Sequence, residues 1–573
     1  MGNSIYDRLI VLYSRTHQGR LIRCFGGDLH SVKSVLSAIK QKASTRNSDS
    51  YHCFVNISID SSSPSSQLVD IHELDLPDSS TVVGIALRPT SAGSSILNFE
   101  QGFCHLLLER IGQISKALEG KELIKDVSIT EKVVDLLNDE LLFHTSNSQW
   151  GTMGRDYLLE KISFFTSRGM TIEMCLPAFP CKSSNLDKVA GTLPDRGEEL
   201  ALRRLYEVLR KVKLVYKAGA RICIISDGHV FSDCIGVDDD QVDEYGIRLH
   251  ELNETIGTQD GHEGEITLKS LKDIFRCDLN EIFHGEDLFD KELPIVEHFL
   301  DTKISNETEF HRHVLMLACQ PDRNSLRSKI KNQDLAIVSL YRGFSRFMLE
   351  DLALHPHSQS ISRSQRKKVA EKISFEMLLR NQAYSNLVEL FFPFHVRLSI
   401  HAHVNSGPKF GISLFDKSNT RVVNSINDLL NTANESHDLL HIPTPWHNCV
   451  FRVSGDDFTY ITKSKVIHEA REAKLIRAHW VNQDQNSASG GYFQIHAPGW
   501  TRRTRSNNVE YSKSPLVSSV PGRDVLATED TVVKEKGTEK PSRIIMHHRI
   551  KGLFRYKIRI FRSRAPTSML HRK

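Results

Sequence analysis

The sequence predicts an α/β protein built on a parallel, Rossmann-like sheet with flanking helices. An antiparallel strand region follows towards the C-terminus, and a small extension precedes the sheet at the N-terminus. Three observations carry this reading. Residues 171–176 are a strand candidate, and 221–225 is a short, almost wholly apolar run of the kind that suits a strand buried on both sides. Between them, Leu202, Leu205, Leu209, Val212 and Val215 recur at helical spacing, so strand, helix and strand follow in the order of a right-handed crossover. From Val396 the period changes to two: Val396, Leu398 and Ile400 alternate with Arg397, Ser399 and His401, as in a half-buried strand.

Taken in chain order, residues 1–100 form an α/β extension. Strands are expected at 9–13 and 53–59 around a helix at 32–42, followed by a Ser-rich loop at 61–66. Helical spacing resumes with Leu106, Leu107, Ile111 and Ile114, and again from Val133 to Leu142. The helix at 198–216 ends near Gly219. After the strand at 221–225, residues 226–240 read as a loop in which Gly228 supplies unusual backbone angles. A helix at 241–252 follows the acidic run Asp238-Asp239-Asp240. A mostly helical region spans 265–392. Beyond it, 405–408 is a turn that returns 409–415 as the second strand of a hairpin, and Thr444–His447 leads into a strand at 449–453. The expected units are 1–100, a catalytic domain at 101–500 and a basic tail at 501–573.

Charge is unevenly spread over the 573 residues. The last 73 hold 18 Lys/Arg against 6 Asp/Glu, which leaves −8 for the rest of a chain whose total is +4. A mildly acidic body with a basic tail is not the profile of a nucleic-acid enzyme. The tail reads as solvated chain, with an amphipathic stretch at 544–561 as its one candidate contact for a membrane surface or an acidic partner. None of the ten cysteines has CxxC spacing, so neither a zinc ribbon nor a redox pair is suggested. No signal peptide and no transmembrane segment is read, and a cytoplasmic location is expected.

Ligands of a parallel sheet gather at the carboxyl ends of its strands, and residues 177–182 and 226–233 fall there. Prolines 177 and 180 stiffen the first loop and deliver Lys182 and Ser183 to a defined place, although a lone loop lysine is by default solvated. The second brings Asp227, His229 and Asp233 together, residue types suited to proton transfer. The same types suit a metal, but their spacing matches no familiar ligand motif. A third group, Arg397, His401, His403 and Lys409, is a cationic cluster able to hold a phosphate or carboxylate, or else an exposed strand face. Arg342 reads as a helix-surface charge unless the fold turns it inward, and His447 as a capping, core or catalytic histidine. No Gly-rich nucleotide loop, GxSxG or HExxH is present. From the residues alone, the reading is an α/β enzyme acting on an anionic small molecule.

Several longer blocks then become recognisable. They are LPAFPCKSSN at 176–185, GTLPDRGEELAL at 191–202, YKAGARICIISDGHVFSDCIGVDDDQVDEY at 216–245, YRGFSRFMLEDL at 341–352, HVRLSIHAHVNSGPKFGISL at 395–414 and TPWHN at 444–448. In content and order they resemble the pyoverdine/dityrosine biosynthesis family of isocyanide synthases, over roughly residues 130–500. The resemblance implies a reaction between an amino acid and ribulose 5-phosphate that converts the α-amine to an isonitrile, with no redox cofactor. In the family's spore-wall branch it implies N-formyltyrosine, a dityrosine precursor. A downstream iron/2-oxoglutarate oxygenase or cytochrome P450 is the implied partner. On this reading Asp227, His229, Asp233 and His447 are the acid–base candidates. Arg342, Arg397, His401, His403 and Lys409 are the phosphate candidates, and Lys182 with Ser183 orients the amino-acid carboxylate or the sugar.

Overall fold

The computed structural model describes residues 10–27, 29–42, 50–59, 67–76, 80–87, 106–113, 116, 127–275, 307–319, 323–354, 361–425, 443–482 and 490–496. The Ser-rich stretch at 61–66, Ile114 and the basic tail with its 544–561 segment lie outside them.

Three five-stranded sheets organise the described residues. The first is antiparallel, in the order β2-β1-β5-β4-β3, from β1 (Ile10–Thr16), β2 (Leu21–Gly26), β3 (Tyr51–Ile59), β4 (Gln67–Asp75) and β5 (Thr81–Leu87). Strict alternation gives it two apolar faces. Val11, Val69, Ile71 and Ala86 pack under helix α1 (Leu29–Lys42). Leu12, Phe25, Val83, Ile85 and Leu87 instead enter the largest core, shared with the later helices. The N-terminal sheet is thus sandwiched, with one face continuous with the body of the protein.

The central sheet runs β10-β9-β6-β7-β8, all parallel, from β6 (Ile172–Pro177), β7 (Ala220–Ile225), β8 (Ile266–Lys269), β9 (Val396–Ser399) and β10 (Lys409–Gly411). Its first face is wholly apolar: Met174, Leu176, Ile222, Ile224, Ile266, Val396, Leu398 and Phe410. Against it pack α2 (Val127–Glu140), α3 (Arg155–Thr166), α4 (Arg196–Val215) and α6 (Asp239–Asp260). Helix α4 has a capping box in which Asp195 accepts from Gly197 N and Glu198 accepts from Asp195 N. The second face carries the short α5 (Gly228–Ile235), α7 (Leu271–Ile274), α8 (Glu307–Cys319), α9 (Arg323–Lys331), α10 (Leu335–Leu354) and the 29-residue α11 (Arg363–Phe391).

Two local expectations give way. Residues 226–240 are not one loop, because Gly228 opens α5 at helical angles. A glycine is needed there for room: a Cβ would lie 2.1 Å from the Pro180 carbonyl oxygen. Lys409–Gly411 is not the return strand of a hairpin but the parallel neighbour of β9, in register Lys409↔Arg397. The intervening loop turns back at Asn405, whose φ is +50°. Its buried amide accepts from Gly411 N and donates to the Phe143 carbonyl.

The third sheet, β11-β13-β12-β15-β14, comprises β11 (Thr420–Val423), β12 (Cys449–Val453), β13 (Thr459–Thr462), β14 (Arg477–Val481) and β15 (Tyr492–His496), with α12 (Ser464–Glu472) over its core. It is antiparallel at β12–β13 and β14–β15 and parallel at β11–β13 and β12–β15. Among the described residues, no helix is long and apolar enough to cross a membrane.

Candidate active site

The two faces of the central sheet differ in kind. Register aligns Lys409, Arg397, Cys175, Cys223 and Thr267 in one row across all five strands. In-register neighbours of a parallel sheet point the same way, so this row is a polar band on the face covered by α11. A sheet buried on both sides is ordinarily apolar throughout. Here one face keeps two cations and two thiols.

Helix α11 meets the band with Tyr384 and Ser385. The Tyr384 hydroxyl donates to the Ile225 carbonyl at 2.8 Å, and Lys409 Nζ donates to Ser385 Oγ at 2.6 Å. Asp227 follows the carboxyl end of β7. Its Oδ1 is buried and meets no hydrogen-bond donor, and Arg397 Nη1 is buried and meets no acceptor. Leaving one such group unpaired is costly, and leaving two of opposite character in one centre marks a place prepared for something else. Loop residue His403 shares a hydrogen bond of 2.9 Å with Ser399 Oγ, which also accepts from His401 N.

The electrostatics follow from burial. Asp227 is pushed up to about 6 by desolvation, with Arg397 opposing. Lys409 is lowered to about 8 by burial and then by Arg397 and Arg23, while Glu389 opposes. His403 is lowered to about 3 by burial, His401, Lys409 and Arg397, so it is neutral at pH 7. The Cys175 thiol is raised to about 11 by burial, with Arg397 opposing, and is no nucleophile. A carboxyl and an amine displaced towards neutrality from opposite sides are what proton transfer near pH 7 requires. Along the same face, a cavity of about 190 Å³ is lined by Arg110, Lys269, Phe391 and Phe392, together with Glu109 and Asp273.

The other sequence candidates lie elsewhere. Lys182 is fully buried, 2.8 Å from Asp195, 2.9 Å from Glu198, and donating to the Pro445 carbonyl. Glu198 is held above the usual carboxylate range by this burial, with the Lys182 cation opposing. This triad ties the 177–182 loop to α4 and to the turn at Pro445–His447. Ser183 is bound there too, donating its N–H to the Trp446 carbonyl. The loop is further pinned by Phe179, a bulky residue at φ +57° whose ring packs at a tilt against Trp446, 5.1 Å between centroids. His447 lies 5.0 Å from the Phe347 ring and 3.2 Å from Thr444 Oγ1.

His229 and Asp233 belong to an ion-pair network that fixes α5. Arg380 of α11 grips Asp233 at 2.5 and 3.0 Å, Arg312 of α8 bonds Asp239, Ser232 and the His229 carbonyl, and His229 pairs with Asp243 at 3.0 Å. Arg342 is exposed on α10 and bonds Gln333. Of the eleven candidates, Asp227, Arg397, His401, His403 and Lys409 converge. Tyr384, Ser385, Ser399 and Cys175 join them without having been singled out. The period-two pattern placed Ser399 on the face of Arg397, but nothing in the sequence of α11 distinguishes Tyr384 from the apolar residues around it. Among the described residues, no group of His, Cys, Asp or Glu is arranged to hold a metal ion.

Comparison with known proteins agrees with these blocks. The family model described as pyoverdine/dityrosine biosynthesis protein matches residues 162–474. The spore wall maturation protein DIT1 of Saccharomyces cerevisiae is 43% identical over 70% of this chain and 73% of its own length. The L-tryptophan isonitrile synthase AmbI2 of Fischerella ambigua is 29% identical over 56% of this chain and 78% of its own. The L-tyrosine isonitrile synthase of Xenorhabdus nematophila is 29% identical over 52% and 73%. Among solved structures, the PvcA protein of Pseudomonas aeruginosa superposes with a TM-score of 0.49 at 23% identity, over 65% of this chain and all of that one. The chain belongs to the pyoverdine/dityrosine biosynthesis family.

Proposed function

We propose that this chain is a cytoplasmic enzyme that converts the α-amine of an amino acid to an isonitrile, with ribulose 5-phosphate as carbon donor. The observation that carries this reading is the buried centre itself. Asp227 and Arg397 each keep a polar atom unpaired beside a second cation, Lys409. A phosphate or carboxylate seated between Arg397 and Lys409 satisfies both. Asp227, with its raised proton affinity, then takes the proton that an α-ammonium must lose before its nitrogen attacks the sugar ketone. The proton returns to the carbonyl oxygen as it leaves as water. Tyr384 and His403 flank this exchange, and His229, Asp233 and Lys182 act through the scaffold. Relatives at 29% identity are named for tyrosine and tryptophan, so aromatic amino acids head the substrates to be tried. The chemistry calls for no redox cofactor, and an oxygenase or cytochrome P450 is the proposed consumer of the product.

The higher identity to a spore wall maturation protein favours a second reading of the outcome. Adding water across the isonitrile gives the N-formyl amino acid, a precursor suited to a cross-linked wall polymer. The test is incubation of the full chain with ribulose 5-phosphate and a panel of amino acids, with a tetrazine trap and mass spectrometry. A trapped isonitrile supports the first reading and an N-formyl product alone the second. Absence of any product, with sugar phosphate still bound, would leave a non-catalytic binding subunit.

A further inference from the structure

Lys409 opens β10, a three-residue strand whose ladder partner among the described residues is β9; on its other side Gly411 and Ile412 are held by Phe143 and Leu142, but those bonds begin two residues past Lys409. So short a strand does not by itself fix a lysine whose ammonium is largely buried beside another cation. What fixes it is α11, through the 2.6 Å bond from Lys409 to Ser385. The seating of α11 is in turn set by the N-terminal sheet. Asn386, the next residue after Ser385, donates to the Phe25 carbonyl of β2 at 2.7 Å and to the Cys319 carbonyl of α8 at 3.1 Å. One turn further on, Glu389 is ion-paired to Arg23 of β2, whose second nitrogen reaches Asn386 Oδ1 at 3.4 Å. Arg23 also lies 5.2 Å over the Phe25 ring. Each partner of the Arg23–Glu389 pair is 33% exposed, so the pair lies at the rim where the buried centre meets solvent.

We propose that the N-terminal sheet is a working part of the active site and that Arg23 is a positioning residue which, through Glu389 and Asn386, seats α11 on Lys409. The inference rests on reading the Asp227–Arg397–Lys409 centre as the active site. It adds to that centre a residue lying far outside the 162–474 stretch matched by the family model. The charges facing Lys409 are Arg397 of β9, Arg23 of β2, Glu389 of α11 and the Cys175 thiol of β6, with His403 in the loop beyond β9. Arg23 and Glu389 act on it with opposite sign. Removing Arg23 therefore makes Lys409 easier to protonate, and removing Glu389 makes it harder.

The experiment is reductive methylation of the full chain at a series of pH values, with labelling of Lys409 read by peptide mass spectrometry. Fully buried Lys182 serves as an internal report that the fold is intact. In Arg23→Gln the half-labelling pH of Lys409 rises by about half a unit or more, in Glu389→Gln it falls, and Arg23→Lys restores the parent value. Where turnover is measured, Arg23→Gln lowers kcat by about tenfold or more and Arg23→Lys recovers it. Unchanged Lys409 labelling in both Gln variants, with Lys182 still protected, overturns the proposal. Glu389→Gln, nearly isosteric, carries the test if Arg23→Gln does not fold. Labelling needs no turnover, so a parent protein that makes no product counts against the reaction and leaves the labelling to decide the role of Arg23.

Discussion

Arg397 and Lys409 are register partners on adjacent parallel strands, two cations side by side on a buried sheet face. Strands in a sheet are about 4.8 Å apart, and like charges at that spacing repel unless an anion lies between them. Arg397 Nη1 has no acceptor, so the pair is set for one. Ribulose 5-phosphate is therefore expected to raise the melting temperature, by about 2.7 kcal/mol of added stability at a hundredfold excess over Kd. Arg397→Met and Lys409→Met should each abolish most of that shift in differential scanning fluorimetry. Arg342→Met, at an exposed helix position, should keep it. Equal shifts in all four proteins would place the phosphate elsewhere.

Two buried lysines make opposite predictions. Lys182 is the shared cation of Asp195 and Glu198 in a buried triad. Lys182→Met leaves two carboxylates buried without their cation and should cost about 3–5 kcal/mol in urea unfolding. Lys409 has a hydroxyl partner and a cationic neighbour, so Lys409→Met relieves repulsion, and stability should change by less than about 1 kcal/mol while turnover is lost. If Lys182→Met unfolds like the parent and fails only in catalysis, Lys182 belongs to the site after all.

These contrasts mark where sequence reading stops. Strands β6, β7 and β12 and helix α4 were legible because their apolar patterns follow from local geometry. The polar face of β9 was legible because alternation put Arg397 and Ser399 together. The parallel pairing of β10 was not, since a turn signal at 405–408 says nothing about which way the chain runs afterwards. Lys182 beside prolines looked like a delivered reactive group, because the carboxylates that absorb it sit on a different element, 13 and 16 residues away. Tyr384, Ser385 and Arg23 carry no local signal at all, as their roles exist only once α11 is laid between two sheets.

The Asp233–Arg380 pair should govern resistance to acid. Burial alone would raise the Asp233 carboxyl, but Arg380 and Arg312 hold it well below the usual carboxylate range. A carboxylate depressed in the folded state contributes stability above its unfolded pKa, near 4. That contribution is lost as pH falls through the folded value. Asp233→Asn should thus be less stable than the parent by about 1.5–3 kcal/mol at pH 7, because Arg380 loses its bidentate carboxylate while keeping Glu376 at 3.1 Å. The deficit should shrink steadily below about pH 4 as the parent's own carboxyl takes up its proton. A deficit independent of pH in chemical denaturation would assign the loss to packing rather than charge.

Asp227 and Lys409 together should set the pH dependence of turnover. Asp227 must be ionised to accept a proton, and burial places its transition at about 6. Lys409 must be protonated to hold an anion, and burial with Arg397 brings its transition to about 8. Hence kcat/KM should rise as pH passes about 6 and fall as it passes about 8. Asp227→Asn should lower kcat by about 10²–10⁴-fold and erase the acid limb, leaving the alkaline one. The same substitution has a defined effect on stability. A carboxyl raised in the folded state contributes stability below its unfolded pKa, and this is lost as pH rises through the folded value. At pH 7 the parent is past that point, with a buried carboxylate oxygen that has no donor. Asp227→Asn should then be at least as stable as the parent there. A variant that loses activity together with stability, or keeps the acid limb, would make Asp227 a structural residue and move the proton transfer to another group.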